Sequence, residues 1–451
     1  MTYTDQPDEL TQSQWFTNPT PRHISFPAHG HSVVTCLIFA DIGRASPEDN
    51  KKGSKPRKRI ISASDDHSIH VYSPYTGAHE MYLEGHEGGI WSVGAVDGLL
   101  VSGSTDRTVR IWDLSDSEPQ SRTATEKKKV KCLHVFEGHT STVRCLEIVK
   151  PELVDVGGRF GGDGPERKET WPKQTLIVTG ARDHSLRVWT LPKRGDPEFK
   201  SSSSDKGEGD RNSPPINVPQ NPEDNPYHLF HLEGHDHAIR ALAAHGRTVV
   251  SGSYDCTARI WDISTGQCRF VLSGHTQKVY TVVYDPTRHI TATGSMDGTV
   301  RVWSTLTGEC LHVQTGHTSL VGLLGLSTSH LVSASADSTL RIWDVEKGEC
   351  KAVLAAHTGA ITCFQHDETK VLSGSDGTLK LWDLREAASI GEVSSMKNLL
   401  TGITGVWQVA FDGTWLAAAS NKNDQTMLDI WDFAKTDGDV DPGAGNGGGE
   451  V

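Results

Sequence analysis

The sequence predicts an all-β chain assembled from repeated units, and three observations carry that expectation. Helical periodicity is almost absent from the 451 residues. Instead, short runs rich in Val, Ile, Thr and aromatic residues alternate with Gly, Asp and Ser, the pattern of strands and tight turns. A unit recurs that opens on Gly-His and closes on Trp-Asp, with opening pairs at Ala28-His29, Gly85-His86, Gly138-His139, Gly234-His235, Gly274-His275, Gly316-His317 and Ala356-His357. The closing aromatics are Tyr72, Trp112, Trp189, Trp261, Trp303, Trp343, Trp382 and Trp431, and their uninterrupted spacings are 40 (Tyr72 to Trp112), 42 (Trp261 to Trp303), 40 and 39. Self-similarity at such a period marks an architecture in which each unit buries its apolar faces against its neighbours.

Composition narrows the function classes. Lys and Arg number 44 against 57 Asp and Glu, a net charge of −13, which argues against a general nucleic-acid binder. No run approaches the length of a membrane-spanning helix, and the acidic, proline-containing start shows no secretory signal, so neither membrane nor export is expected. Eight cysteines in a chain of this length make no disulfide framework. Cys132, Cys268, Cys310 and Cys350 precede outer runs and Cys36, Cys145 and Cys363 lie in inner runs, so they are read as buried or semi-buried reduced thiols of a cytosolic or nuclear protein. No Cys/His spacing matches a zinc site, and no metal or cofactor is expected.

Period and ends together resemble the WD-repeat family, which implies a closed eight-bladed β-propeller of four-stranded blades over residues 23–433. The eighth unit is degenerate. It lacks Gly-His, but 406–411 and 428–432 read as two of its strands. Residues 1–22 are expected as an N-terminal linker, from which His23-Ile24-Ser25-Phe26 should complete the outer strand of the last blade and join the ends of the chain. Insertions at about 41–58, 114–130 and 150–173 are read as polar loops, 192–226 as disordered, and 434–451 as a disordered tail. Within the first insertion, Lys51, Lys52, Lys55, Arg57, Lys58 and Arg59 form a basic run with two readings, a nuclear import signal and a solvated loop; the expected localisation is nucleus and cytoplasm.

A turn Asp recurs before the closing run, at Asp66, Asp106, Asp183, Asp255, Asp297, Asp337 and Asp376. The family places it in a hydrogen-bonded set with the opening His, a strand Ser or Thr and the closing Trp. A catalytic triad needs one constellation rather than one per repeat, so a framework role is expected and no enzymatic activity. Arg110, Arg187, Arg259, Arg301, Arg341 and Lys380 recur two residues before the closing aromatic and are likewise framework, expected on solvent-facing strand positions.

Positions that vary between repeats are the candidate site. Five residues after the opening His, repeats 2 to 7 carry Trp91, Arg144, Arg240, Tyr280, Gly322 and Thr362. Before the turn Asp, repeats 1 to 7 carry Asp65, Thr105, Arg182, Tyr254, Met296, Ala336 and Ser375, and Arg107 follows the Asp of repeat 2. In a propeller these positions ring the mouth of the central channel, so the large cationic and aromatic side chains gather on blades 2 to 5. Arginine's planar fork suits phosphate oxygens, and several arginines in a concave mouth favour a dianion. The competing reading pairs these arginines with acids such as Asp65 and Asp66.

At these residues a narrower resemblance appears. Gly89-Ile90-Trp91, 102–110, 138–145 and Lys278-Val279-Tyr280, with Trp15-Phe16-Thr17-Asn18-Pro19 ahead of the first blade, look like the substrate-binding domain of F-box/WD-repeat receptors of SCF-type (Skp–cullin–F-box) ubiquitin ligases. The branch is that of yeast cell division control protein four and its animal relatives. The resemblance implies a propeller that recruits phosphorylated proteins, through Ser/Thr-Pro phosphodegrons, for ubiquitin-dependent degradation, with a role in the cell cycle. It implies that Arg144, Arg182 and Arg240 bind the central phosphate, that Arg107 supports them, and that Tyr254, Tyr280, Ser141 and Thr142 flank the pocket. Trp91 would wall an apolar pocket for preceding residues. Where animal relatives carry further arginines, this chain has Gln408 and Asn421-Lys422-Asn423, so the resemblance leaves a second phosphate site open. The segment before the first repeat shows no apolar-patterned helices of an F-box, so Skp adaptor and cullin contacts are expected only if an F-box exists upstream. The alternative class is a general WD-repeat scaffold for a non-phosphorylated partner.

Overall fold

The computed structural model describes residues 14–42, 57–115, 128–155, 168–197, 199, 225–385 and 396–436. Strands dominate, and they assemble into eight antiparallel sheets arranged as the blades of a ring. The innermost strands are Val34–Ile42, Ile90–Val96, Val143–Val149, Ile239–His245, Val279–Asp285, Val321–Leu326, Ile361–His366 and Gly405–Asp412, in blades 1 to 8. The second strand of a blade is covered by neighbouring blades on both faces, so it reads as continuous apolar and small residues, as in Leu99–Ser104, where every residue is buried.

The core is a circle of eight clusters, one per seam between blades. Each seam receives the closing aromatic of the blade that follows it: Trp112 packs with Ile61, Ile69 and Leu83 of blade 1, and Trp303 with Val250, Ile260 and Leu272 of blade 4. The ring closes through the chain ends. Pro21–Pro27 pairs antiparallel with Gln425–Thr436, with His23 opposite Trp431 and Phe26 opposite Leu428, so the last blade's outer strand is the first strand of the chain.

The hydrogen-bonded set forms inside the blades. In blade 2, the Trp112 Nε1–H donates to Ser102 Oγ at 2.9 Å, His86 Nε2 meets the same hydroxyl at 2.8 Å, and His86 Nδ1 meets Asp106 at 2.7 Å. Blades 3 to 6 repeat it. Blade 7 departs from the expectation for Asp376. Its His357 meets Ser373 at 2.7 Å and Thr378 Oγ1 at 3.1 Å, but not Asp376. The turn is one residue shorter: Trp382 lies nine residues from the hydroxyl it donates to, against ten in blades 2 to 6. Asp376 therefore occupies the place of Tyr254, not of Asp255, and Ser375 is not the mouth residue of its blade.

The recurring arginines are partly covered: Arg110, Arg259, Arg301 and Arg341 are half-buried. Arg187 is buried, and each guanidinium lies beneath the opening glycine: a Cβ on Gly316 would come 2.6 Å from Arg341 Nη1, and one on Gly138 would lie 2.9 Å from Arg187 Cζ. Those glycines also hold positive φ, +136° and +145°, where a side chain is strained. The two opening alanines fit this account. Ala28 and Ala356 stand in the repeats whose arginine is replaced, by His70 and Lys380 respectively.

Parts of the segments expected as loops, linker or tail are ordered. Residues 41–42 and 57–58 extend two strands of blade 1, so Arg57, Lys58 and Arg59 are strand residues; Arg59 is buried and ion-paired with Glu80, and Lys58 pairs with Asp412. Lys128–Val130 adds a parallel strand to the edge of blade 1. Glu152–Asp155 and Lys168–Trp171 form a hairpin. Phe199 bridges to His134 of blade 2. The last strand runs to Thr436, and residues 14–17 form a helical turn with Trp15 wholly buried. The remaining parts of these segments, including Lys51, Lys52 and Lys55, lie outside the described residues. All eight cysteines are free, and Cys268, Cys310 and Cys350 are exposed, not buried. Among the described residues no helix is long and apolar enough to cross a membrane.

Candidate functional site: the channel mouth

One irregularity recurs in all eight blades and builds the mouth. At the start of every innermost strand the pairing register slips by one residue. In blade 3, Val143 faces Ala181 and Cys145 faces Gly180, which leaves Arg144 as the extra residue of a β-bulge. A bulge re-aims the side chain it carries. The bulge residues around the ring are Thr35, Trp91, Arg144, Arg240, Tyr280, Gly322, Thr362 and Trp407. The variable position five residues after the opening His is thus the bulge position. Thr35 and Trp407 belong to this ring although the repeat reading passed over them, because blade 1 has one more residue in its opening loop and blade 8 has no opening pair.

The second ring is the residue that follows the end of each second strand. It is tied to the first by a backbone bond: Arg182 N–H donates to Thr142 O at 2.9 Å, and Tyr254 N–H to Ala238 O at 3.0 Å. Arg182 therefore rises beside Arg144 at the same end of blade 3. Arg107 occupies the next turn position in blade 2, at φ +74°, exposed. The same position holds positive φ in blades 1, 3, 4, 5, 6 and 7, at His67, His184, Cys256, Gly298, Ser338 and Gly377, so the backbone there is framework while the side chain is free to vary.

The side chains gather as a continuous cationic and aromatic sector. Arg144 stacks its guanidinium on the Trp91 ring, 3.8 Å from the centroid. Arg240 lies 6.0 Å from the Tyr280 ring, which packs 5.1 Å from Tyr254. Lys278 sits 4.8 Å over the Tyr254 ring and His237 6.0 Å from it; both are mouth residues that the repeat comparison did not single out. Trp91, expected as the wall of an apolar pocket, gives one face to Arg144. Ser141 and Thr142 are half-buried beside Arg144 in sequence, with the Thr142 carbonyl engaged by Arg182.

Burial, and after it the charge of Arg240 and then of Arg182, pulls the Arg144 guanidinium down to about 10, so it remains cationic at neutral pH. Among the described residues no carboxylate forms an ion pair with Arg107, Arg144, Arg182 or Arg240. Asp66 is engaged by His29 and Ser68, and one carboxylate oxygen of Asp65 accepts from the Val33 N–H at 2.8 Å, so neither acid pairs with these arginines. Like charges without a counter-ion, two of them half-buried at Arg144 and Arg240 and two exposed at Arg107 and Arg182, form an electrostatic arrangement that an anion would complete. The blade 8 positions where the resemblance would put further arginines do not supply them: Gln408 donates its amide to Thr35 O at 2.8 Å across the seam to blade 1. Among the described residues no group of three His, Cys, Asp or Glu side chains is placed to hold a metal ion.

Fold and repeat define the chain as an eight-bladed WD-repeat β-propeller. The family model described as WD domain, G-beta repeat matches residues 77–113, 227–262, 266–304, 308–344 and 348–383. Three curated relatives are similar over nearly the whole chain. WD repeat-containing protein pop2 of Schizosaccharomyces pombe is 42% identical over 94% of this chain and 53% of its own length. WD repeat-containing protein pop1 of the same yeast is 37% identical over 94% and 50%. Cell division control protein 4 of Saccharomyces cerevisiae is 36% identical over 93% and 49%. The chain thus spans about half the length of the curated relatives it matches. Among solved structures, the computationally designed Ika8 protein superposes with a TM-score of 0.61 at 23% identity, covering 90% of this chain and 98% of that one, a likeness of fold.

Proposed function

We propose that the mouth of this propeller binds a phosphorylated Ser/Thr-Pro segment of a partner protein, and that the chain is the substrate-recognition part of an SCF-type ubiquitin ligase. The observation that carries the first half is the set Arg144, Arg182 and Arg240: guanidinium groups of blades 3 and 4, with Arg240 and Arg182 close enough to lower the basicity of Arg144, and with no described carboxylate among them. Arg107 and Lys278 add positive charge at the rim, and Tyr254 and Tyr280 offer hydroxyl donors. The Trp91 stack presents Arg144 in a fixed plane, as a bidentate phosphate contact requires. Likeness to cell division control protein 4 supports the second half, with a Skp adaptor and cullin as partners of a longer form that carries an F-box. Nuclear as well as cytoplasmic residence is part of the proposal.

The test is titration of a Thr-Pro phosphopeptide with apolar flanks against the wild type and single variants. Hydrogen bonds to charged groups contribute roughly 1.5–3 kcal/mol, so Arg144→Ala, Arg182→Ala or Arg240→Ala should each weaken binding about 10- to 100-fold. Arg144→Lys should not restore it, since Lys has neither the fork nor the flat stack on Trp91. Arg301→Ala, whose guanidinium sits beneath Gly274 away from the mouth, should change affinity less than about threefold. Equal binding of the unphosphorylated peptide would sink the phosphate reading and leave the scaffold in its place.

A further inference from the structure

We propose that the opposite sector of the mouth, at blades 7, 8 and 1, is a second subsite selective for a cationic side chain, Lys or Arg, of the same bound segment; this rests on the arginine sector being a phosphate site. The shortened turn of blade 7 moves Asp376 out of the His-centred set and into the mouth ring. The neighbourhood confirms the position: Asp376 lies over Gly359 as Thr105 lies over Gly88, and its carboxylate reaches Gly405, the first residue of the innermost strand of blade 8. Asp65 holds the equivalent place in blade 1 and lies against Gly89 of blade 2 through its Cα, Cβ and carbonyl, with one carboxylate oxygen on the Val33 N–H. Both carboxylates are exposed.

Blade 8 lies between them and presents Trp407 as its bulge residue, half-buried. Three polar atoms of blades 7 and 8 are unspent. The Ser375 and Ser420 hydroxyls are buried, with 0% and 1% exposure, and have no hydrogen-bond partner among the described residues; nor does Asn421 Oδ1. In blades 2, 4, 5 and 6 the equivalent hydroxyls of Ser104, Ser253, Ser295 and Ser335 each donate to a carbonyl, so the vacancy is confined to blades 7 and 8. Ser375 Oγ sits beside the Asp376 carboxylate over Gly359. Two carboxylates, unspent acceptors and an indole face suit an ammonium or guanidinium group and repel a second phosphate. Lys422 is the basic residue of the blade 8 turn, with Asp424 two residues on. The mouth is therefore bipolar, with cations on blades 2 to 5 and carboxylates on blades 7 and 1. A bound segment would be oriented as well as held, its phosphate toward one side and its basic residue toward the other.

The experiment is a fluorescence-anisotropy titration of the whole chain with a panel of Thr-Pro phosphopeptides. Each carries Lys, Ala or Glu at one successive position on either side of the phosphate. An exposed ion pair supports a gain of about 2- to 5-fold. Lys should tighten binding by that factor at one or two neighbouring positions on a single side, and Glu should weaken it there. Asp376→Asn should bring the Lys-to-Ala affinity ratio at those positions to about one, Asp376→Lys should invert it in favour of Glu, and Asp65→Asn should lower it. If Lys tightens binding nowhere while the Ala peptide still binds in an Arg144-dependent way, the cation subsite is wrong and the phosphate reading stands. If the Lys preference survives both Asp→Asn changes, the assignment to this sector is wrong. If no phosphopeptide binds, both readings fall together.

Discussion

Protonation of the framework histidines sets the acid limit of the fold. Burial, and after it the charge of Lys380, pushes His357 down to about 4, so the folded chain keeps this imidazole neutral where an unfolded chain would protonate it near 6.5. Its contribution to stability is complete above about pH 6.5 and is lost as pH falls toward 4. Burial also pulls His86, His139, His275 and His317 down, in spite of their Asp partners. A second loss follows at lower pH. Against the opposing effect of burial, hydrogen bonds from His29 and then Ser68, from Thr299 and from Thr339 hold Asp66, Asp297 and Asp337 at about 2, below the ordinary 3.8. Their contribution is complete above about pH 4 and disappears as pH falls toward 2. Thermal melts from pH 8 to 3 should show the melting temperature declining from about pH 6.5 and dropping further below pH 4. A melting temperature flat between pH 7 and 4.5 would contradict the neutral-histidine account.

At the scale of the element, a mouth residue is legible only when the repeat is counted to the residue. The bulge was visible as a variable column five residues after the opening His, and Arg144, Arg240 and Tyr280 fall on it. Asp376 was misread because the motif Ser-Gly-Ser-Asp-Gly-Thr contains the expected Asp while lacking one residue of the turn; the shorter distance to Trp382 was the signal. The basic run shows a similar limit. A charge cluster in sequence does not say which members are tethered: Lys58 is held by Asp412 of blade 8 and Arg59 by Glu80 of blade 1, so any import signal must be read mainly from Lys51, Lys52, Lys55 and Arg57. Replacing those four with Gln should shift a fluorescent fusion of this chain from nucleus to cytoplasm. Undiminished nuclear signal would remove the import role.

Across the whole molecule, closure depends on residues far apart in sequence. Trp15 stacks on Phe433 at 4.0 Å and donates Nε1–H to Gly413 O at 3.0 Å, while Asn18 donates to the Phe433 and Lys435 carbonyls at 3.0 and 2.9 Å. The same indole covers Lys370, a buried ammonium that pairs with Asp367 and sits 4.6 Å from the Trp15 ring and 4.5 Å from Phe411. Trp15→Ala should therefore cost about 3–5 kcal/mol, as large aromatic truncations in cores do, and it uncovers a charge as well. Differential scanning calorimetry measures the loss. Hydrogen exchange should locate it in 21–27 and 425–436; a loss of protection spread evenly over all blades would contradict the closure role.

The repeat period determined, from the sequence alone, an all-β chain of eight similar units, because a periodic buried face has few ways to be satisfied other than by stacking its copies, and resemblance to the WD-repeat family made the expected stack a closed ring. Variation within the repeat likewise singled out Arg144, Arg182 and Arg240. The tertiary structure alone decided which groups those arginines meet. Nothing local to Arg144 says that its charge is stacked on Trp91 of the preceding blade, or that neither Asp65 nor Asp66 pairs with it. Nor does any local pattern say that Gln408 is spent on the seam to blade 1 or that Trp15 seals the far end of the chain. Contacts between blades and between termini join residues through space, and the balance of charge, burial and hydrogen bonding at the mouth exists only once the ring has closed.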